Sequence, residues 1–367
     1  MILNIGDVVR ERGPSPFASA WCVEGYLASG RHFRHYTVTN LMPDMDGQRA
    51  VLKVIKYDPR RIDDADYIQS LRARLRRECE TLAHFSPRLP EPIDYFEIDN
   101  AQDQFEGFGA EQMRMREPIL IQTLLHGSSL AQQMEDRGAP PAAADTLLLT
   151  LAKVCSFLDE LHAGGRGWLF WALSPEHIMV DPQQEHEPSF VGCSNFRMLN
   201  HGVVVDDPSI PILHQPPEPG YAAPEALSRS RSDRRVDVYA MGCLLFHLFT
   251  GTDPRDLAED ILSRGAYGEH ASRDEAFDRT DVHVPQTMTL SEAQTFCDEL
   301  RSSMERFCRR NLKGLGISRA RVRRMLLKAV EPEPDDRFQS PLELRDRLLA
   351  TLSRSRPVAW PNPGPDR

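Results

Sequence analysis

The chain holds 367 residues, with 54 Asp and Glu against 44 Lys and Arg and a net charge of −10. Such a length supports one large domain or two of ordinary size, each able to bury a core. With no basic stretch outweighing the acidic background, the balance argues against a nucleic-acid partner and against an anionic membrane surface.

Residues 1–18 contain Gly-Pro-Ser-Pro and show no clear period, so they read as an extension packed on, or trailing from, the domain that begins near residue 19. Trp21 to Leu27 and Phe33 to Thr39 are aromatic and β-branched around a glycine-containing turn, which predicts a hairpin. A Met-Pro-Asp-Met-Asp-Gly turn at 42–47 leads into an apolar strand, 50–55, interrupted by Lys53. The chain has only five lysines, so a lysine inside an apolar strand is conspicuous. A helix is predicted over 66–84, carrying the Arg-rich stretch 71–77 on a solvated face and Glu78 near its end. Residues 98–117 are polar and carry two glycines, as in an exposed excursion between strands, and an apolar strand comes next at 118–125.

Helical periodicity returns over 144–162 and stops at Gly164-Gly165. After it come Gly-Trp-Leu-Phe-Trp-Ala-Leu-Ser-Pro-Glu-His-Ile-Met-Val at 167–180 and a strand, Ser189-Phe190-Val191, that runs into Gly192-Cys193-Ser194-Asn195. Segment 197–218 is proline-rich, with Ser209 its single hydroxyl-bearing residue. Pro219-Gly220-Tyr221-Ala222-Ala223-Pro224-Glu225 closes it, a buried-type helix runs from Asp237 to a glycine exit at Gly251, and Pro334-Asp335-Asp336-Arg337-Phe338 stands near the end. Between 252 and 325, polar helical stretches are predicted at 254–264 and 290–312, and the Pro-rich tail from about 351 to 367 has few large apolar residues.

In order and spacing these motifs resemble the protein kinase-like superfamily, from the hairpin to Arg337. The resemblance implies an α+β, bilobal fold, with a small β-rich N-lobe over 19–125 and a larger helical C-lobe over 126–350 that carries a helical insertion at about 254–320. It likens 167–180 to the catalytic loop. There Phe170, Trp171 and Ala172 stand at His-Arg-Asp, Ser174 at the loop Lys and His177 at the metal-binding Asn, while Leu173, Pro175, Glu176, Ile178 and Met179 fit. Gly192, or Ser194, stands at the second metal-binding carboxylate. Of the glycine-rich loop only Gly30 remains, with Ala28 and Phe33 at its other glycine positions. Lys53 and Glu78 match the family's strand lysine and helix glutamate, which implies a residual nucleotide-binding set of Lys53, Glu78 and Gly30. A plain salt bridge with no ligand is the alternative reading of that pair, and retention of Lys53 in so lysine-poor a chain tilts the balance slightly toward anion binding. The resemblance also implies that Asp237 caps the catalytic-loop backbone, that Glu225 pairs with Arg337, and that Phe170 and Trp171 are packed replacements for catalytic groups.

Loss of the catalytic Asp and both metal ligands removes a general base, typically worth about 10²–10⁴-fold, together with metal stabilisation of the transferring phosphate. The leading expectation is a pseudokinase that regulates or scaffolds a protein partner, without a catalytic residue or a metal. It binds ATP weakly at most, does not bind Mg²⁺, and meets no nucleic acid and no membrane. The alternatives are a nucleotide-dependent transferase, for example one moving an adenylyl group, and a weak Ser/Thr kinase. Segment 197–218, lacking a phosphate-receiving Arg at 171, is expected not to act as a phosphorylation switch. Seven cysteines without CxxC spacing, no charged and apolar leader, and no apolar run of membrane-spanning length place the expected home in the cytoplasm.

Overall fold

The computed structural model describes residues 2–11, 19–30, 32–42, 47–82, 88–99, 116–135, 144–163, 166–171, 173–181, 183, 187–204, 219–264, 288–311 and 319–352. Two compact units emerge, the first built mainly on Met1–His126 with Ser189–Ser194, the second mainly on Gly127–Pro188 and the chain beyond Asn195.

Among the described residues the first unit holds a six-stranded antiparallel sheet and one α-helix. Strands β1 (Val8–Arg10), β2 (Ala20–Ser29), β3 (Phe33–Asn40), β4 (Arg49–Ile55), β5 (Pro92–Asp99) and β6 (Arg116–Thr123) take the order β1-β2-β3-β4-β6-β5. The expected hairpin is β2–β3. Residues 8–10, assigned to the extension, form the edge strand, with Val9 opposite Trp21. Strand β5 has no counterpart among the predicted elements, and residues 98, 99, 116 and 117 of the expected excursion belong to the paired β5 and β6. The middle of that excursion lies outside the described residues.

Alternation along β4 puts Leu52 and Val54 into an apolar cluster with Trp21, Tyr36, Val38 and Ile121, and turns Lys53 to the opposite face. Helix α1 (Ala65–Leu82) contacts β4, β5 and β6. Its buried residues Ile68, Leu71, Leu75, Glu78 and Leu82 recur at three- and four-residue steps, so Glu78 sits on the stripe that faces inward.

The second unit is mainly helical. It contains β7 (Ser128–Ser129), α2 (Leu130–Glu135), α3 (Ala144–His162), β8 (Arg166–Leu169), β9 (Ile178–Val180), β11 (Arg197–Asn200) and β12 (Val203–Val204), with β10 (Pro188–Phe190) at the change between units. Helices α4 (Pro224–Leu227), α5 (Arg235–Thr250), α6 (Pro254–Ser263), α7 (Leu290–Asn311), α8 (Arg319–Ala329) and α9 (Pro341–Leu352) complete it. Helix α5 is apolar all round and almost wholly buried, which marks it as the centre of the unit. Gly242 allows this: a Cβ there would stand 2.6 Å from Val330 Cγ1 and 2.8 Å from Ala329 Cβ, so only glycine lets α5 and α8 approach so closely. Gly167 has a comparable role, since its Cβ would lie 2.4 Å from the carbonyl oxygen of His162.

The two helices expected in the insertion are α6 and α7. Helix α7 contacts α4, α5 and α6 and buries Phe296, Cys297, Leu300, Met304 and Cys308, so it belongs to the core rather than to an appended surface. All seven cysteines are unpaired thiols, five of them buried. The Pro-rich tail beyond 352 lies outside the described residues.

Candidate functional site

In the first unit, Lys53 lies opposite His35 on β3 and Leu120 on β6. Its ammonium forms an ion pair with Glu78, the side chains being 3% and 2% exposed. Desolvating two such ions costs several kcal/mol each, which only close pairing and further contacts offset. One further contact is Phe33, whose ring centroid is 4.3 Å from Lys53 Nζ, a cation–π distance. Phe33 is thus a lid on the lysine, at a position where the family resemblance expects a glycine. Cys193 is buried in the same unit, and burial first, then the Glu78 carboxylate, push its thiol well above the ordinary range. Such a thiol is inert. The Gly30 N–H donates to Phe33 O at 2.9 Å, so this backbone donor is spent inside the hairpin.

In the second unit, the 167–180 stretch is held by Asp237, which is fully buried. Its carboxylate accepts from Phe170 N at 2.8 Å and from Trp171 N at 2.9 Å. His162 Nε2 lies 2.8 Å from the same carboxylate. This charge is tolerated because donors surround it. Trp171 has φ of 70°, a left-handed conformation costing about 1–3 kcal/mol in a bulky residue, and the Asp237 contact at its N–H helps hold it. Its ring faces Arg197 at 5.7 Å. Phe170 is fully buried, 4.9 Å from Phe196 and 5.6 Å from His177 between ring centroids. Phe170 is packed as expected of a replacement, whereas Trp171 is half-buried, and truncating Phe170 to Ala should cost about 3–5 kcal/mol, read by chemical denaturation.

Ser174 and His177, which the family resemblance sets at the loop-Lys and metal-Asn positions, share a 2.8 Å hydrogen bond between Oγ and Nδ1. Ser174 is buried, and its hydroxyl is engaged by the imidazole. Next to them Glu176 pairs with Arg255, which also binds Asp253. Burial alone would raise the Glu176 carboxyl, yet Arg255 and the Ser174 hydroxyl hold it below the ordinary carboxylate range. Ala172 lies outside the described residues, as does Ser209. Gly192 comes directly after β10 and Val191 in the first unit, with φ of 86°; it and the buried Ser194 carry no carboxylate.

The expected Glu225–Arg337 pair is present and bidentate, at 2.7 and 2.9 Å, with exposures of 5% and 0%. Arg337 also donates to the carbonyls of Glu331, Pro332 and Arg235. Sequence reasoning missed the Phe33 lid, the Ser174–His177 bond and the His162–Asp237 contact. Each joins residues whose proximity depends on turn geometry or on packing, although His162 does close the last turn of α3 and so announces a polar helix end.

No protein-family model matches the chain. Over 108 residues, 28% of its length, it is 35% identical to the serine/threonine-protein kinase pkn3 of Myxococcus xanthus, covering 19% of that protein. Over 186 residues it is 27% identical to the serine/threonine-protein kinase PknE of Mycobacterium tuberculosis, covering half of this chain and 28% of PknE. The chain thus spans less than a third of the length of such curated relatives. A double mutant of the M. tuberculosis PknI kinase domain superposes with a TM-score of 0.53 at 21% identity, covering 95% of this chain and 99% of that one. The fold is the α+β bilobal protein kinase-like fold. In sequence, the chain is similar to serine/threonine-protein kinases over part of its length.

Proposed function

We propose that this chain is a pseudokinase, a catalytically degenerate kinase-like domain that regulates or scaffolds a protein partner in the cytoplasm. The observation that carries the reading is the Ser174–His177 hydrogen bond. Two positions that would face phosphate and metal in an active relative satisfy each other instead. Phe33 over Lys53 and the spent Gly30 N–H add to it from the first unit. Mg²⁺ takes oxygen ligands, mostly carboxylates and phosphate, and neither His177 nor Gly192 offers one. The residues present therefore do not fit a magnesium nucleotide held in the family manner. Among the described residues no helix is long and apolar enough to cross a membrane.

A second reading keeps the fold for nucleotide-dependent group transfer, such as adenylyl transfer, and rests on the retained Lys53–Glu78 pair. It requires ATP with a metal, and a weak Ser/Thr kinase would require the same. Thermal melts with millimolar ATP, with and without Mg²⁺, separate the readings. No magnesium-dependent shift is expected. Saturation near 100 Kd would stabilise by about 2.7 kcal/mol, and a shift of that size would overturn the pseudokinase reading.

A further inference from the structure

The net charge conceals a local reversal. Ten of the chain's 44 Lys and Arg fall between 301 and 328, against one, Glu305, of its 54 Asp and Glu. The acidic balance holds for the average and fails here, contrary to the expectation that no basic stretch outweighs it. This stretch is the second half of α7, the connection after it and α8. The two helices contact each other, and a groove of about 270 Å³ lies along them, with Arg301, Arg323, Arg324 and Lys328 among its walls.

The two acids in that groove are already engaged, Glu331 by Arg301 and Glu305 by Arg309. Arg323 and Arg324 have no ion pair among the described residues, and Arg324, Arg306, Arg309 and Arg310 are exposed. Uncompensated guanidinium groups on a folded surface repel one another, and an anion relieves that repulsion while gaining planar, two-point hydrogen bonds.

We propose that the α7–α8 groove docks an acidic peptide segment, rich in Asp and Glu, of a partner protein. Charge complementarity selects this occupant. Outside 301–328 the chain is strongly acidic, and an extended polyanion such as a duplex or a lipid surface would meet that field beyond the patch. A short flexible segment does not, because screening at physiological salt confines the interaction to about 8 Å. The proposal names the partner chemistry of the scaffolding reading and rests on it, while the nucleotide melts test that reading separately.

The test titrates a fluorescent oligoglutamate peptide into the full chain by anisotropy at two salt concentrations, with a short DNA duplex and phosphatidylserine vesicles as competitors. Binding that weakens with salt is expected. It should fall about tenfold or more in the Arg323→Glu/Arg324→Glu variant and stay within twofold for Arg60→Glu, an exposed arginine of the first unit. If the double variant melts early, Arg324→Gln, at an exposed site, carries the test. No binding, equal loss in Arg60→Glu, or displacement by duplex or vesicles at lower concentration than by unlabelled peptide would each overturn the proposal.

Discussion

Two buried ion pairs, one in each unit, look alike as sequence motifs and differ in how their charges are satisfied. Arg337 spreads its donors over both Glu225 oxygens and three backbone carbonyls. Lys53 meets the single carboxylate of Glu78 beneath an aromatic lid. The first arrangement is a structural tie in which the planar guanidinium fork serves five acceptors. The second is a compact ammonium whose other faces would be free for an anion were Phe33 not above it. Retention of a charged pair therefore says little about ligand binding until its remaining contacts are counted.

The strongest way to break the comparison is Arg337→Ala, which leaves Glu225 charged and buried and three carbonyls without their donor. A loss at the upper end of about 3–5 kcal/mol is expected in denaturant unfolding. Lys53→Met should cost somewhat less, about 3 kcal/mol, by orphaning Glu78 alone.

The double change Lys53→Met/Glu78→Leu sharpens the contrast. Apolar replacement of a whole buried pair is often neutral or stabilising by about 1–4 kcal/mol, so stability should return to the parent value. Glu225→Leu/Arg337→Met should not recover in the same way, because the carbonyls remain unpaired. Equal recovery in both doubles would show the two pairs to be equivalent.

At neutral pH the smallest effect concerns His35, across the strand pair from Lys53. Burial, then the Lys53 ammonium, push its imidazole down from 6.5 to about 3. The folded state disfavours the protonated ring, so this contribution is complete above pH 6.5 and is lost as pH falls from there toward 3. His35→Gln should flatten the stability–pH curve across that window, and an unchanged slope would place the ring in water.

Much of this was legible in the chain. The helix at 144–162 has the predicted limits, and α7 and α6 end within a residue of them, since their apolar periods and stop signals are local. Strand β5 escaped notice despite its apolar and aromatic residues, because it is a half-buried edge strand whose register is set by β6. The N-terminal edge strand escaped for the same reason, three residues being too few to show a period. At the site, the sequence showed where the chain departs from the motif of the family it resembles. It did not show that Ser174 and His177 bond to each other, which a short 3₁₀ turn at 175–177 brings about.

The sequence by itself determined the motif order, and the resemblance it carries implied which residues stand at the family's catalytic and metal positions and that Glu225 pairs with Arg337. Motif order is carried by residue identity at a fixed spacing. Only the tertiary structure decided that Phe33 covers Lys53, that Asp237 secures a left-handed Trp171, and that Arg301 of α7 and Arg323 and Arg324 of α8 line one groove. Those outcomes depend on which faces of distant segments are pressed together, a choice made by burial of the whole core rather than by any local pattern.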